Sequence, residues 1–343
     1  MRFSALLLAC LVPLAAQDQT FRTTVNVVVA PATVLDRHGN FVHDLKPSEF
    51  RVYDKGVLQD IRLDVSFLPI SLVVAIQADG AVDSVLPRIQ RIGPMINAVV
   101  AGEQGESAIV SFDHRIQVLQ DFTADPDKLA EGLKKLRAGS MSSRLIDAVD
   151  ESVRMLRRRP GDRRRVVLLI SESRDKGSSG KVRETLAAAE FQNVSLYAVN
   201  IPRVVTALTQ KAPAPRPDPI PASAHRMPAG AAVTPETTSG IRNYGSVMPA
   251  FEEIIRGVKA IFIPNPVEVF TKYTGGKEQN FVNLKGLEEA ISAIGSELHA
   301  QYLITYNPSN KSDGGYHEIK VVVERPDLTV RARPGYWMAA IPQ

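Results

Sequence analysis

The side chains with the strongest potential for chemistry fall in a few short stretches. Residues 157–165 read Arg-Arg-Arg-Pro-Gly-Asp-Arg-Arg-Arg, dense enough in cations to contact the phosphates or sulfates of an anionic polymer. The same run fits a helix C-terminus, where the dipole favours cations, followed by a turn into a strand, and that reading needs no ligand. Gly177-Ser-Ser-Gly-Lys181 resembles a phosphate loop only superficially, because the spacing is short and Val182 stands where the motif needs Ser or Thr. The six histidines, at 38, 43, 114, 225, 299 and 317, show no metal-binding helix spacing. His299, on an expected helix, reads as a surface or interface residue. No Gly-x-Ser-x-Gly elbow offers a hydrolase nucleophile. The lone Cys10 excludes an intrachain disulfide and multi-cysteine zinc sites. Neither nucleotide chemistry nor nucleic acid binding is expected.

Something must position whatever site remains. The chain has 343 residues, which at roughly 100–200 residues per domain implies two domains or three. With 44% hydrophobic and 23% charged residues it buries enough apolar surface to fold. Its +4 net charge is the difference of 41 basic and 37 acidic residues, so no global basic footprint exists. Residues 1–16 have a positive start at Arg2, an apolar run and small residues before Gln17, the pattern of a secretory signal peptide cleaved near Ala16. The alternative is a lipoprotein signal, with Cys10 lipidated as the new N-terminus. The expected location is secreted, periplasmic or at the cell envelope. No other run is long enough for a membrane helix.

After the leader, residues 23–36, 50–53 and 58–65 read as strands, with turns at His38-Gly39-Asn40 and Asp54-Lys55-Gly56. The pattern changes at Pro69. Residues 70–76 (ISLVVAI), 166–170 (VVLLI) and 194–201 (VSLYAVNI) are apolar runs suited to strands buried on both faces. Helical periodicity falls between them at 82–100, broken by Gly93-Pro94, and at 126–137, 144–159 and 182–192, with strands at 107–112 and 116–122. Residues 211–235 are rich in proline and alanine and read as an exposed loop or linker. Regular structure resumes at 248–263, helical over 252–258, and at 267–273. An amphipathic helix over 284–301 carries Leu287, Ile291, Ile294 and Leu298 on one stripe. Strands at 302–306, 317–324 and 328–333 close the chain and are expected to return to the N-terminal β segment. The fold class is α/β, a doubly wound, mostly parallel sheet plus a small β unit formed by the N- and C-terminal segments.

Several stretches carry a family likeness. These are Val34-Leu-Asp-Arg-His-Gly-Asn-Phe-Val-His-Asp-Leu45, Glu49-Phe-Arg-Val-Tyr-Asp-Lys-Gly56, Pro69-Ile-Ser-Leu-Val-Val-Ala-Ile76, residues 166–178, Gln301-Tyr-Leu-Ile-Thr-Tyr-Asn-Pro308 and Arg333-Pro-Gly-Tyr-Trp337. In this order they resemble the von Willebrand factor A-related proteins abundant in Acidobacteria. The family's strand-end Asp falls here on Ser171 or Glu172 depending on register, with Glu172 preferred because it aligns Asp175 and Gly177-Ser178 with the family's following turn. The resemblance implies a signal peptide at 1–16, an N-terminal β segment at 17–66 and an A-type domain at 67–300 with the insertion at 211–235. A C-terminal β segment at 301–343 would pack on the N-terminal one.

The same resemblance implies a site at the carboxyl ends of the strands, where the family's metal-ion-dependent adhesion site uses an Asp-x-Ser-x-Ser turn, a Thr and a strand-end Asp. Carried over residue by residue, these positions fall on Gln77, Asp79 and Ala81, then Ser143, then Glu172. The first Asp has become a neutral amide and both serine positions are altered. Mg²⁺ demands near-ideal octahedral oxygen geometry, so the resemblance implies a degenerate site without a functional metal, and no cofactor is expected. A weak divalent-metal-dependent ligand site is the alternative. Asp79 and Glu172 as an acid/base pair would lack a convergent nucleophile or cofactor motif, so an enzyme is not expected. The expected function is an exported protein-interaction or adhesion-type module with a protein or cell-surface polymer as partner. A structural scaffold of the envelope is the other reading.

Overall fold

The three apolar runs are the middle of a six-stranded sheet. In this computed structural model, which describes residues 27–64, 68–140, 142–202, 206, 265–281, 283–310 and 313–338, fourteen strands occur among the described residues. They are β1 (Val28–Leu35), β2 (Phe50–Asp54), β3 (Val57–Leu58), β4 (Ile61–Asp64), β5 (Ile70–Gln77), β6 (Glu106–Phe112) and β7 (Ile116–Thr123). They continue with β8 (Arg164–Ser171), β9 (Val194–Asn200), β10 (Glu278–Asn280), β11 (Tyr302–Tyr306), β12 (Gly315–Val323), β13 (Thr329–Ala332) and β14 (Gly335–Met338). The helices are α1 (Leu86–Arg91), α2 (Gly93–Ile96), α3 (Pro126–Lys134), α4 (Leu145–Arg157), α5 (Val182–Phe191), α6 (Pro266–Tyr273) and α7 (Leu284–Ala300). The expected leader with Cys10, the stretch 211–235 and the helical reading at 252–258 lie outside the described residues.

The six-stranded sheet runs β10-β9-β8-β5-β6-β7, parallel throughout except for the antiparallel edge strand β7. Both faces are covered, which is why the central strands need no polar alternation. On one face Leu72, Val74 and Ile76 of β5 pack with Ile89 of α1, Leu133 of α3 and Leu287, Ile291, Ile294 and Leu298 of α7. On the other, Val73 and Ala75 pack with Val149, Val153 and Leu156 of α4 and Phe270 of α6. The expected stripe on α7 is thus its buried face. α3 and α7 start on local side-chain caps: Asp125 accepts from Asp127 N at 2.9 Å, and Asn283 from Gly286 N at 2.8 Å. The break expected at Gly93-Pro94 separates α1 from α2, and a five-residue π-helical turn, Asn97–Ala101, follows.

The remaining strands form two four-stranded sheets, β13-β1-β11-β4 and β14-β12-β2-β3. Strands from the two chain ends are neighbours in both: β1 pairs with β11 and β13, and β2 with β12. Alternate residues Val28, Ala30, Ala32 and Val34 of β1 share a core with Phe50 and Val52 of β2, Tyr302 and Ile304 of β11, and Ile319 of β12. The strand expected over 58–65 is divided. Residues Val57–Leu58 close a hairpin with β2, whereas Ile61–Asp64 cross to the other sheet and pair with β11.

Four of the six clustered arginines are absorbed as staples, which removes most of the basic patch. Arg159 grips Glu106 with both arms at 2.7 and 2.6 Å, and Arg163 reaches Ser71 Oγ and the carbonyls of Ile70 and Gln104. Arg164 donates to Leu298 O and Gln301 Oε1, and Arg165 to the carbonyls of Gln192 and Arg159. Arg157 and Arg158 remain exposed. Among the described residues no helix is long and apolar enough to cross a membrane.

Candidate functional site

The chain leaves β5 toward β6 on one side and later returns to β8 on the other. The carboxyl ends of β5 and β8 therefore flank the topological switch point, where open α/β sheets bind ligands. Gln77 ends β5, and Glu172 directly follows β8. Their link crosses the switch point: Glu172 N donates to Gln77 Oε1 at 2.8 Å. Asp79, two residues on, accepts from Ala81 N at 3.1 Å.

Gln77, Asp79, Ala81, Ser143 and Glu172 all lie at this end of the sheet, and every one is buried, with relative exposures of 0, 0, 7, 0 and 5%. They support loops from beneath instead of forming an outer surface. Ser143 Oγ donates to Arg174 O at 3.5 Å, and its own carbonyl accepts from Lys176 N at 2.8 Å. Glu172 Oε1 accepts from Thr206 Oγ1 at 2.6 Å, and Oε2 lies 4.0 Å from Lys176 Nζ. Gln77 Nε2 and Asp79 Oδ2 are sealed from solvent without a hydrogen-bond partner. Burial pushes the Asp79 carboxyl above its ordinary range, against the Gln77 amide and the Lys176 charge, while Glu172 adds to the rise.

Sequence reasoning did not anticipate the groups that lock the loops together. The Asp113 carboxylate, just past β6, accepts from Arg115 N at 2.7 Å, Ser140 N at 3.0 Å and His114 Nδ1 at 2.8 Å. Burial would raise its pKa, but these hydrogen bonds and the neighbouring imidazole together lower it. Gly139 is required here, because a Cβ at this position would overlap the Asp113 carboxylate. Gly139 N also donates to Ala78 O at 2.7 Å and Gly80 N to Ser140 O at 2.9 Å. The N-terminus of α4 carries no local side-chain cap. Its free amides are met from the loop after β8 instead, with Ile146 N donating to Asp175 Oδ1 at 3.2 Å and Asp147 N to Ser178 Oγ at 3.1 Å. Asp147 reciprocates by accepting from Ser179 N at 3.0 Å and Gly180 N at 2.7 Å. The only sequence signal for this clamp is the run of small polar residues at 175–180, since its partners lie about thirty positions away.

Mg²⁺ requires a near-octahedral set of oxygens. The Gln77 oxygen is committed to Glu172 N–H, and flipping the amide would set two donors against each other. Glu172 is engaged by Thr206 and neighboured by the Lys176 ammonium, and the Ser143 hydroxyl points to a carbonyl. One carboxylate oxygen, Asp79 Oδ2, is left without a partner. Among the described residues no three His, Cys, Asp or Glu side chains gather as a metal site. These residues do not fit the ion, and the local cation is a lysine.

No family model matches the chain, and no curated protein matches it in sequence. Solved structures do align with it. The conserved hypothetical protein BatB from Bacteroides thetaiotaomicron aligns at 12% identity and a TM-score of 0.42, over 67% of this chain and 98% of that one. An aerotolerance-related membrane protein from Bacteroides fragilis aligns at 12% identity and a TM-score of 0.39, over the same shares. The vWF domain of the type V pili tip protein Mfa5 from Porphyromonas gingivalis aligns at 18% identity and a TM-score of 0.28, over 31% of this chain and 38% of that one.

Proposed function

We propose that the chain is an exported, non-enzymatic interaction module that binds a protein or cell-surface polymer through the loops at the carboxyl end of its six-stranded sheet, without a resident metal. The observation that carries this reading is the fixing of four loops into one platform. Ala78 and Gly80 are tied to Gly139 and Ser140, Ser140 to Asp113, Ser143 to Lys176, and Asp147 to Ser179 and Gly180. Loops ordered in advance lose little conformational entropy when a partner docks. The platform exposes Arg137, Ala138, Arg174, Lys176 and Ser179. Beside it lies a groove of about 530 Å³ lined by Asp83, Leu86, Pro87, Lys134 and Arg137. Mixed charge around an apolar strip suits a polar, peptide-like partner. The export reading rests on the pattern of residues 1–16.

A photo-crosslinking residue at Ala138 or Ser179 is expected to trap a partner from envelope extracts, and Arg174→Glu to weaken that capture several-fold. A second reading, scaffold assembly, is favoured by Val57 and Leu58, which are 47% and 54% exposed on β3. This strand edges its sheet, and an apolar edge is a template for pairing with another chain. Crosslinks arising from Leu58 and not from the loops would replace the first reading with the second.

Metal independence has its own check. Calorimetric titration with Mg²⁺ or Mn²⁺ is expected to show no saturable heat. Stoichiometric binding in the micromolar range, abolished by Asp79→Ala, would show that the loops rearrange to assemble an ion site.

A further inference from the structure

The arginine staples differ in one respect. Arg159 and Arg163 are neutralised by Glu106, whereas the partly buried Arg164 bonds neutral acceptors, the Leu298 carbonyl and Gln301 Oε1, both at 2.6 Å. Among the described residues the titratable neighbour that bears on its charge is Tyr197, a phenol that burial keeps protonated. The nearby carboxylate Glu297 is spent elsewhere, on Tyr197 at 2.9 Å and on Arg331. Burial accordingly presses the Arg164 pKa down, yet a guanidinium does not give up its proton in a protein. A desolvated cation without a counter-ion is costly, and the cost is relieved when an anion arrives.

Arg164 lines a partly open pocket of about 440 Å³. The pocket sits at the amino ends of β5 and β8, at the opposite end of the sheet from the loop platform. Its walls include Leu68, Ile70, Ala101 and Leu303. At the exposed rim stand the imidazoles of His43 and His299, along with Glu103. The volume lies in the lower part of the roughly 300–1,000 Å³ range of small-molecule sites. Leu298 O takes one donor on Nη1 and Gln301 Oε1 one on Nη2, which leaves three of the guanidinium's five N–H groups to meet a carboxylate.

We propose that this pocket binds a small amphipathic monocarboxylate, its carboxylate on Arg164 and its hydrocarbon body against the apolar walls. Two features bound the ligand. The volume excludes a long acyl chain lying wholly inside, and Glu103 at the rim opposes a second negative charge.

Octanoate is the probe, titrated calorimetrically into the full chain beside octan-1-ol, which has the same hydrocarbon length and no charge. Saturable one-to-one binding of octanoate is expected, with octan-1-ol weaker by at least about tenfold, the scale of a charged hydrogen bond. Arg164→Gln is expected to lower octanoate affinity by a similar factor, its fold checked by circular dichroism. Should that variant fail to fold, Gln104→Trp at the exposed rim narrows the mouth without touching the guanidinium and is expected to weaken octanoate too. Absence of saturable octanoate binding, equal affinity for octan-1-ol, or a folded Arg164→Gln variant that binds octanoate like the parent would each overturn the proposal.

Discussion

Replacing Asp54 with alanine is expected to lower the melting temperature by roughly 10 °C, because it removes the anion around which the two smaller sheets close. Asp54 ends β2, is fully buried, and accepts four hydrogen bonds. His317 Nδ1 at 2.6 Å and Asn310 Nδ2 at 3.3 Å meet Oδ1, while the hydroxyls of Tyr306 at 3.0 Å and Tyr336 at 2.8 Å meet Oδ2. Tyr306 belongs to one sheet; Asp54, His317 and Tyr336 belong to the other. Truncation leaves three buried polar groups without their acceptor, and breaking a buried ionic network in this way costs about 3–5 kcal/mol. Asp54→Asn keeps the volume and one acceptor and should cost less. The pH dependence has a definite sign. Burial alone would raise the Asp54 pKa, but the hydrogen bonds of His317, Tyr336 and Tyr306 and the charge of His317 leave it below its ordinary value. A depressed carboxyl contributes stability that is present above the unfolded pKa, near 3.9, and is lost as pH falls through the folded value. Melts between pH 6 and pH 3 should therefore steepen below about pH 4 in the parent and less so in Asp54→Asn. A loss of under about 2 °C for Asp54→Ala would mean the network does not hold the sheets together.

That network could not be seen in the sequence, and the reason is distance along the chain. Asp54 looks like a hairpin residue beside Lys55 and Gly56, which it is, but its partners lie more than 250 positions away. What the sequence did carry was burial: the runs at 70–76, 166–170 and 194–201 match β5, β8 and β9 because strands covered on both faces leave no polar alternation. β10 shows the converse. Glu278, Gln279 and Asn280 have no apolar signal and join the sheet by backbone pairing with β9, supported by Asn280 Oδ1 accepting from Asn200 Nδ2 at 2.9 Å. At the switch point Gln77, Asp79, Ser143 and Glu172 lie at the carboxyl end of the sheet. Their burial depends on loops that the pattern does not encode, because Asp113, Asp147 and Asp175 bond backbone amides whose positions exist only after folding. The arginine run is a third case. Its position after α4 was legible as a helix end, whereas the division between neutralised Arg159 and unneutralised Arg164 follows from what each meets after folding, Glu106 of β6 for the one and the C-terminal end of α7 for the other.

Glu190→Gln is expected to make the protein more stable above pH 8 while leaving it nearly unchanged at pH 5. Glu190 lies on the buried face of α5 at 3% exposure, and neither carboxylate oxygen has a hydrogen-bond partner. Burial pushes its pKa up to about 8 even though the Arg333 cation opposes the shift. Arg333, itself 4% exposed, sits 5.4 Å from the Tyr336 ring centre and donates to Asn193 Oδ1 at 3.3 Å. At pH 7 the favoured pairing is thus a neutral acid beside a charged guanidinium. A raised carboxyl binds its proton more tightly in the folded state than in the unfolded one, so its contribution to stability is complete below about pH 4.5 and is lost as pH rises toward 8. The full amplitude of such a shift is about 5 kcal/mol. Glutamine reproduces the neutral acid in size and polarity but cannot ionise, so the variant should lack this decline. Denaturant unfolding of both proteins from pH 5 to pH 9 provides the measurement. Curves that converge at pH 5 and separate by a few kcal/mol at pH 9 are the expected outcome. Parallel curves would show that Glu190 ionises in the folded protein as readily as in water, and that Arg333 compensates its charge in full.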